Sequence, residues 1–285
     1  MTRGIFVGLS TVDLIHTIDE FPPPDTKAVA QSQEVLVGGP ATNAAITFSH
    51  LGGRATLISA VGNHQISGLI KEEVRRRKVG LVDMTPESEE LPPISSVWVN
   101  QRGERNIVSV NTTRFNIPRA RIDESILESN NILLVDGHPM EACHAWATAA
   151  RSLGIPVVFD GGSWKPGTEK LLTSVDAAIC SADFLPPGCT DEETVMQYLR
   201  TAGVRQVAIT HGPNPVRFAD GLQTGFIEVP QVDTIDTTGA GDIFHGAFCF
   251  HTASGSNFVD ALREAISIAA VSCQFRGTRD WMSIR

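Results

Sequence analysis

The alternation running from Ile132 to Thr210 constrains this chain most. Four short apolar runs, Ile132 to Val135, Pro156 to Phe159, Ala177 to Cys180 and Val207 to Thr210, recur along it. Between them, Met140 to Leu153 and Asp191 to Ala202 carry apolar residues at helical spacing. The second stretch is expected to open on a capping box formed by Thr190 and Glu193. Strands alternating with helices imply a mostly parallel, doubly wound α/β sheet covered on both faces. Ligands of such sheets collect at the carboxyl ends of the strands.

The flanking segments extend this plan. Gly4 to Leu9 reads as a buried first strand, Ala55 to Val61 as another, and Pro40 to Leu51 and Ile66 to Val79 as helices. Gly52-Gly53 ends the first of those helices. Val12 to Ile18 and Lys27 to Val37 are extended runs separated by Phe21-Pro22-Pro23-Pro24, which cannot be a central strand. A second extended pair, Ile94 to Asn100 and Arg105 to Asn111, flanks the hairpin turn Gln101-Arg102-Gly103-Glu104. Both pairs are inserted where they would cover the ligand edge. The expectation is one domain over residues 1–285, with a β lid from about 12–37 and 93–112. Val216 to Ala219 and Leu222 to Val229 form a late hairpin, and helices from Ala240 and Asn257 close the chain.

Composition excludes several classes. A formal net charge of -9 argues against a nucleic-acid surface, which needs clustered Lys and Arg. The basic run Arg75-Arg76-Arg77-Lys78 falls at the end of a helix, where it complements the dipole. The five cysteines, Cys143, Cys180, Cys189, Cys249 and Cys273, form no CxxC pair and read as reduced core residues. No apolar run has the length of a membrane span, and no basic leader precedes the first strand, so a cytoplasmic protein is expected. There is no Gly-Lys dipeptide, hence no Walker A loop, and no HExxH or zinc spacing among the eight His.

Two stretches carry chemistry. Asp236-Thr237-Thr238-Gly239-Ala240-Gly241-Asp242 runs directly into the helical pattern Ile243-Phe244-His245-Gly246-Ala247-Phe248. Small residues at a helix mouth let the backbone approach a ligand, and the first amides lack intrahelical partners, so Gly239, Ala240 and Gly241 would cradle a phosphate. Asp242 would repel that anion unless it takes a proton from an attacking hydroxyl. The bland reading is an acidic first turn favoured by the dipole. In the other stretch, Gly38-Gly39 brings backbone close to a small polar ligand, and Asn43 offers a donor and an acceptor to a hydroxyl pair. The alternative for Asn43 is a side chain satisfying nearby backbone.

Asp236 to Asp242 resembles the C-terminal signature of the ribokinase (PfkB) carbohydrate kinase family, including ketohexokinase-like members. Gly38-Gly39-Pro40-Ala41-Thr42-Asn43-Ala44-Ala45 resembles that family's N-terminal sugar-binding motif, and the similarity covers nearly the whole chain. The resemblance implies a ribokinase-like fold with a small β lid that contacts a second copy in several members. It implies ATP and Mg2+ as cofactors, Asp242 as catalytic base, and Gly239, Ala240 and Gly241 as the anion hole. Asp13, Gly38, Gly39 and Asn43 fall at sugar-binding positions. Arg105 resembles lid residues near the acceptor, with a solvated hairpin residue as its other reading. His138 ends a strand facing the ligand edge, or is simply packed there, and Lys165 takes the basic place after a strand-end Asp. Thr210 and Gly212 match a nucleotide loop, and Ala265 to Gly277 resembles the helix that closes over adenine. Asp236 and Thr238 sit where some members hold a monovalent cation such as K+. One departure stands out: the family's Asn-x-x-Glu motif is replaced here by Ser181-Ala182-Asp183-Phe184.

The expected activity is an ATP-dependent kinase for a free sugar of the fructose or ribose type. A nucleoside kinase of the adenosine type is the alternative enzyme, and a non-catalytic sugar-binding or regulatory protein the alternative class. The expected partners are a sugar, ATP and a second copy of the chain in a homodimer through the lid, with no nucleic acid and no membrane.

Overall fold

A computed structural model of the chain describes residues 1–102, 104–110 and 122–283. The strands up to the second insertion are β1 (Arg3–Val7), β2 (Thr11–Thr17), β3 (Ser32–Gly38), β4 (Arg54–Ser59), β5 (Gly80–Asp83), β6 (Ile94–Val99) and β7 (Arg105–Ser109). The later ones are β8 (Ile132–Val135), β9 (Val157–Gly161), β10 (Ala177–Ser181), β11 (Gln206–His211), β12 (Asn214–Asp220) and β13 (Gln223–Ile227). The helices are α1 (Pro40–His50), α2 (Ser67–Arg76), α3 (Glu124–Glu128), α4 (Met140–Ser152), α5 (Thr168–Leu171), α6 (Glu192–Thr201), α7 (Ala240–Ala253) and α8 (Phe258–Ser272).

Nine strands form one sheet in the order β13-β12-β11-β10-β9-β8-β1-β4-β5. It is parallel from β5 to β11 and ends in an antiparallel β11-β12-β13 meander. Alternate residues of each strand serve opposite faces, as the strand period of two requires. Phe6 joins the core under α1, α7 and α8, whereas Ile5 and Val7 join the core under α4 and α6. Asp136, just after β8, anchors α1 from outside the helix: its Oδ2 accepts from the Leu9 amide at 2.8 Å and the Ala41 amide at 3.2 Å.

The two inserted pairs merge into one four-stranded sheet, ordered β3-β2-β6-β7, in which β2 and β6 run parallel. Its inner face, with Val12, Leu14, Val37 and Ile94, packs against Val61, Ile66 and Ile70 around the start of α2. The expected hairpin turn includes Gly103, and the lid range includes Asn111 and Thr112; these three lie outside the described residues.

Some expectations need correcting. The extended run at Lys27 is not a strand; β3 begins only at Ser32, which faces Thr17, the last residue of β2. β2 is too short to pair residues 27–30. The N-cap of α6 is Asp191, whose Oδ1 accepts from the Thr194 amide at 2.9 Å while Thr194 Oγ1 accepts from the Asp191 amide at 3.3 Å. The box is therefore shifted by one residue from the expected Thr190 and Glu193, because an Asp carboxylate outcompetes a hydroxyl for the cap. The last helix ends at Ser272, and Gly277 lies in the loop beyond it. The basic run is held by carboxylates as well as the dipole: Arg75 pairs with Glu72, and both Arg76 and Arg77 pair with Glu73.

Candidate active site

The mouth of α7 is shaped by Asp236. Its Oδ1 accepts from the Thr238 amide (2.9 Å) and the Thr238 hydroxyl (2.7 Å), and its Oδ2 accepts from the Gly277 amide (2.9 Å). Gly239 then turns the chain at φ 67, and a Cβ there would lie 2.5 Å from Thr278 Cγ2, so only glycine fits. The Ala240 amide bonds back to the Thr237 carbonyl at 3.3 Å. Among the described residues, the amides of Gly241 and Asp242 have no protein acceptor. They are open donors at the positive end of a 14-residue helix, where an anion is favoured.

Asp242 is half-buried beside them. Asn43 Nδ2 donates to its Oδ2 at 2.6 Å, and Asn43 Oδ1 in turn accepts from Arg279 Nη2 at 2.8 Å. The guanidinium thereby fixes which way the amide faces. Arg279 is itself held by the Val37 carbonyl (3.1 Å), the Thr278 carbonyl (3.1 Å) and Glu73 Oε1 (3.3 Å). A chain of bonds thus runs from α2 through the closing loop and α1 to α7. Burial pushes the Asp242 carboxyl up to about 6, the Asp160 charge adds to the rise, and the Asn43 bond opposes it. Burial also brings Arg279 down to about 10.

Asp13 faces the same space from β2, beside Gly38 of β3. A Cβ on Gly38 would lie 2.1 Å from Asp13 Oδ2, so the carboxylate occupies the volume that a side chain would take. Burial raises the Asp13 pKa, while the Thr11 and Ser95 side chains and the Arg279 charge pull it back. Gly39, at φ 98, caps α1 where a Cβ would meet the Leu9 carbonyl oxygen at 2.3 Å.

His138 and Lys165 stand at the carboxyl ends of β8 and β9. The His138 amide donates to Asp136 Oδ1 at 2.8 Å, and burial together with the Lys165 charge lowers its ring to about 4. That imidazole is neutral at neutral pH. Lys165 Nζ donates to the Ser163 carbonyl at 3.3 Å. From the small sheet, Arg105 Nη2 reaches Asp236 Oδ1 at 2.8 Å and Thr237 Oγ1 at 3.3 Å. A monovalent cation at Asp236 and Thr238 would have to displace that guanidinium. Among the described residues, no group of three or more His, Cys, Asp or Glu is arranged to hold a metal.

Thr210 and Gly212 stand apart from this network. Thr210 Oγ1 donates to the Cys180 carbonyl at 3.4 Å, and Gly212 lies in the exposed turn from β11 to β12. A cavity of about 340 Å³ opens beside them, lined by Ser181, Phe184, Thr190, Glu192 and His211. A larger one of about 700 Å³ lies between α6 and β13, and none of the carboxylates just described lines it.

Sequence reasoning missed Arg279 and Glu73, and also the buried His245, whose Nδ1 lies 2.7 Å from the Gly241 carbonyl oxygen. Arg279 had one weak signal, a basic residue two positions beyond Gly277; Glu73 and His245 sit in ordinary helical pattern.

The nine-stranded, mostly parallel sheet flanked by helices, with a second small sheet, defines the class as a ribokinase-like fold. The solved Arabidopsis thaliana ribokinase, complexed with ribose and ATP, superposes with a TM-score of 0.84 at 22% identity, covering 100% of this chain and 99% of that one. A model described as "pfkB family carbohydrate kinase" matches residues 1–284, and the chain belongs to that family. It is accordingly an ATP-dependent carbohydrate kinase. Its relatives include a ribokinase from Haemophilus influenzae, 22% identical over 98% of this chain and 94% of the relative. They also include a nucleoside kinase from Methanothermobacter thermautotrophicus, 25% identical over 96% of this chain and 90% of the relative.

Proposed function

We propose that this enzyme phosphorylates a hydroxyl of a small free sugar of the fructose or ribose type, with Asp242 as general base. The observation that carries this reading is the placement of the Asp242 carboxylate beside the two unpartnered amides of α7. The sugar oxygen attacks the γ-phosphorus, the bond from phosphorus to the β–γ bridging oxygen breaks, and ADP leaves. The hydroxyl proton passes to Asp242, and the Gly241 and Asp242 amides take up charge on the moving phosphoryl. A carboxyl poised near 6 is ionised at neutral pH yet basic enough to accept that proton.

Asp13, Gly38 and Gly39 line the sugar side in this reading, and Asn43 acts mainly by orienting Asp242. His138 and Arg105 bound the acceptor. Lys165, Thr210, Gly212, Thr238 and Gly277 serve the nucleotide side, with Mg2+ arriving on ATP and neutralising phosphate charge. K+ at Asp236 and Thr238 requires that Arg105 leave Asp236. The small sheet acts as a lid that excludes water, and self-association through it accounts for its exposed Val35, Ile107 and Val108.

The nucleoside reading draws on the 25% identity to a nucleoside kinase. A coupled ADP-release assay across ketoses, pentoses and nucleosides separates the two. Turnover confined to nucleosides would overturn the sugar assignment, and no turnover with any acceptor would favour a binding protein.

A further inference from the structure

His245 lies one turn along α7 from Asp242 and is only 5% exposed. Its Nδ1 is 2.7 Å from the Gly241 carbonyl oxygen and 3.4 Å from Asp160 Oδ2, and its Nε2 is 3.2 Å from the Ile179 carbonyl oxygen on β10. All three neighbours are acceptors. A neutral imidazole has one N–H and one bare nitrogen, so it would turn a buried lone pair towards a carbonyl oxygen. Only the doubly protonated ring makes both bonds.

The Gly241 carbonyl belongs to the same rigid peptide plane as the Asp242 amide. Gripping the oxygen on one side aims the N–H to the other, and that N–H is one of the two open donors at the helix mouth. Donation into the carbonyl also polarises the peptide and strengthens its N–H as a donor. We propose that His245 is carried as an imidazolium and is a positioning residue for phosphoryl transfer, fixing the Gly241–Asp242 peptide as half of the anion hole. This rests on the reading of the α7 mouth as the phosphoryl site.

The charged and titratable groups around the ring support a cation there. Asp160 approaches from β9 and Asp242 from its own helix, with Asp136 at the end of β8 interacting with Asp160. The Cys180 and Cys249 thiols nearby are kept protonated by burial. The cations of this cluster are Lys165, which acts on Asp136, and Arg279, which acts on Asp242. His245 also pulls the Asp242 carboxyl down against burial. Removing the imidazolium should therefore raise the apparent acid pKa of catalysis.

Two measurements test this. Long-range 1H–15N correlation on the wild-type chain with labelled histidine should show one ring with both nitrogens protonated at about pH 8. If no ring stays doubly protonated there, the imidazolium is ruled out. His245→Gln and His245→Phe should lower kcat by about tenfold to a hundredfold, leave KM for the sugar within about twofold, and move the acid limb of kcat/KM up by about half a unit or more. A lower Tm with kcat and the pH limb unmoved would reduce His245 to a packing residue. If the variants do not fold, the wild-type spectrum still decides. Full activity in Asp242→Asn would instead sink the base assignment, and the spectrum would judge the ring independently.

Discussion

The nine-stranded sheet and the four-stranded sheet both deliver residues to the α7 mouth, but they hold them differently. The large sheet is covered on both faces, and Asp136, Asp160 and His245 around its carboxyl edge are each 7% exposed or less. Each bond fixing Asp242 is backed by another: Asn43 by Arg279, and Arg279 by Glu73 and two carbonyls. The small sheet rests one face on α2, while β7 is exposed along its whole length. In β7, the polar bonds that reach the mouth are those of Arg105, whose pair with Asp236 is 30% and 23% exposed. In the function proposed above, chemistry is built on the more buried layer and closure on the more exposed one, as expected of lids drawn from the low-stability end of a fold.

The harshest test of the rigid layer is Asp242→Asn. It should lower kcat by at least about 10²-fold to 10⁴-fold, with ATP and sugar binding kept, as measured by titration calorimetry. Retention of more than a few per cent of kcat would remove Asp242 as base. In the wild type, kcat/KM should fall as pH drops through about 6. Stability moves the other way. The native carboxyl holds its proton up to about 6, above roughly 3.9 in an unfolded chain, so the folded state binds more protons between those values. Stability is therefore lost as pH rises through that window, and the ligand-free Asp242→Asn variant should melt at or above the wild-type Tm at neutral pH.

Next in size is Gly38→Ala, which joins the two layers. Its methyl group would sit 2.1 Å from Asp13 Oδ2, so the carboxylate must move. KM for the sugar should rise by about tenfold or more while KM for ATP stays within about twofold. Equal changes in both would take Asp13 away from the sugar. Arg105→Ala then measures the marginal layer directly. A partly exposed pair contributes about 0.2–1 kcal/mol, so KM should change by no more than about fivefold, and less in high salt. A hundredfold loss would mean that Arg105 touches the phosphoryl group itself.

The same difference in rigidity decided what the sequence could reveal. Strands buried on both faces leave unbroken apolar runs, so β8 to β11 are readable from residue pattern alone. β5 is four residues long and mostly half-buried, and α3 and α5 are single turns; none carries enough period to be seen. The pairing of β2 with β6 joins segments separated by α1 and α2, which no local pattern encodes. In the site, Gly239 and Asp242 stood out because they lie together in one short run at a helix mouth, and Asn43 because it follows the pair Gly38-Gly39. Arg279 was not, because its partners Glu73, Asn43 and Val37 come from three distant segments. The sequence reading gave Asn43 to the sugar; in the fold its Nδ2 donates to Asp242 and its Oδ1 accepts from Arg279.

The smallest expected effect on catalysis concerns the outer face of the small sheet. Ile107 and Val108 are neighbours on β7, so they point to opposite sides, yet they are 60% and 75% exposed. A strand bare on both sides, at the edge of its sheet and with two adjacent apolar residues, is a ready template for another strand. Nothing within the described residues covers it, and a second copy of the same lid supplies a matching edge. Val108→Lys places a charge on that edge without touching Arg105 or the helix mouth. Sedimentation should then show a smaller species than the wild type, with kcat within about twofold. If the wild type already sediments as a monomer, self-association through the lid is wrong and β7 is simply exposed. If kcat collapses along with the dimer, the lid is rigid only when paired, and the contrast between the two sheets belongs to the isolated chain.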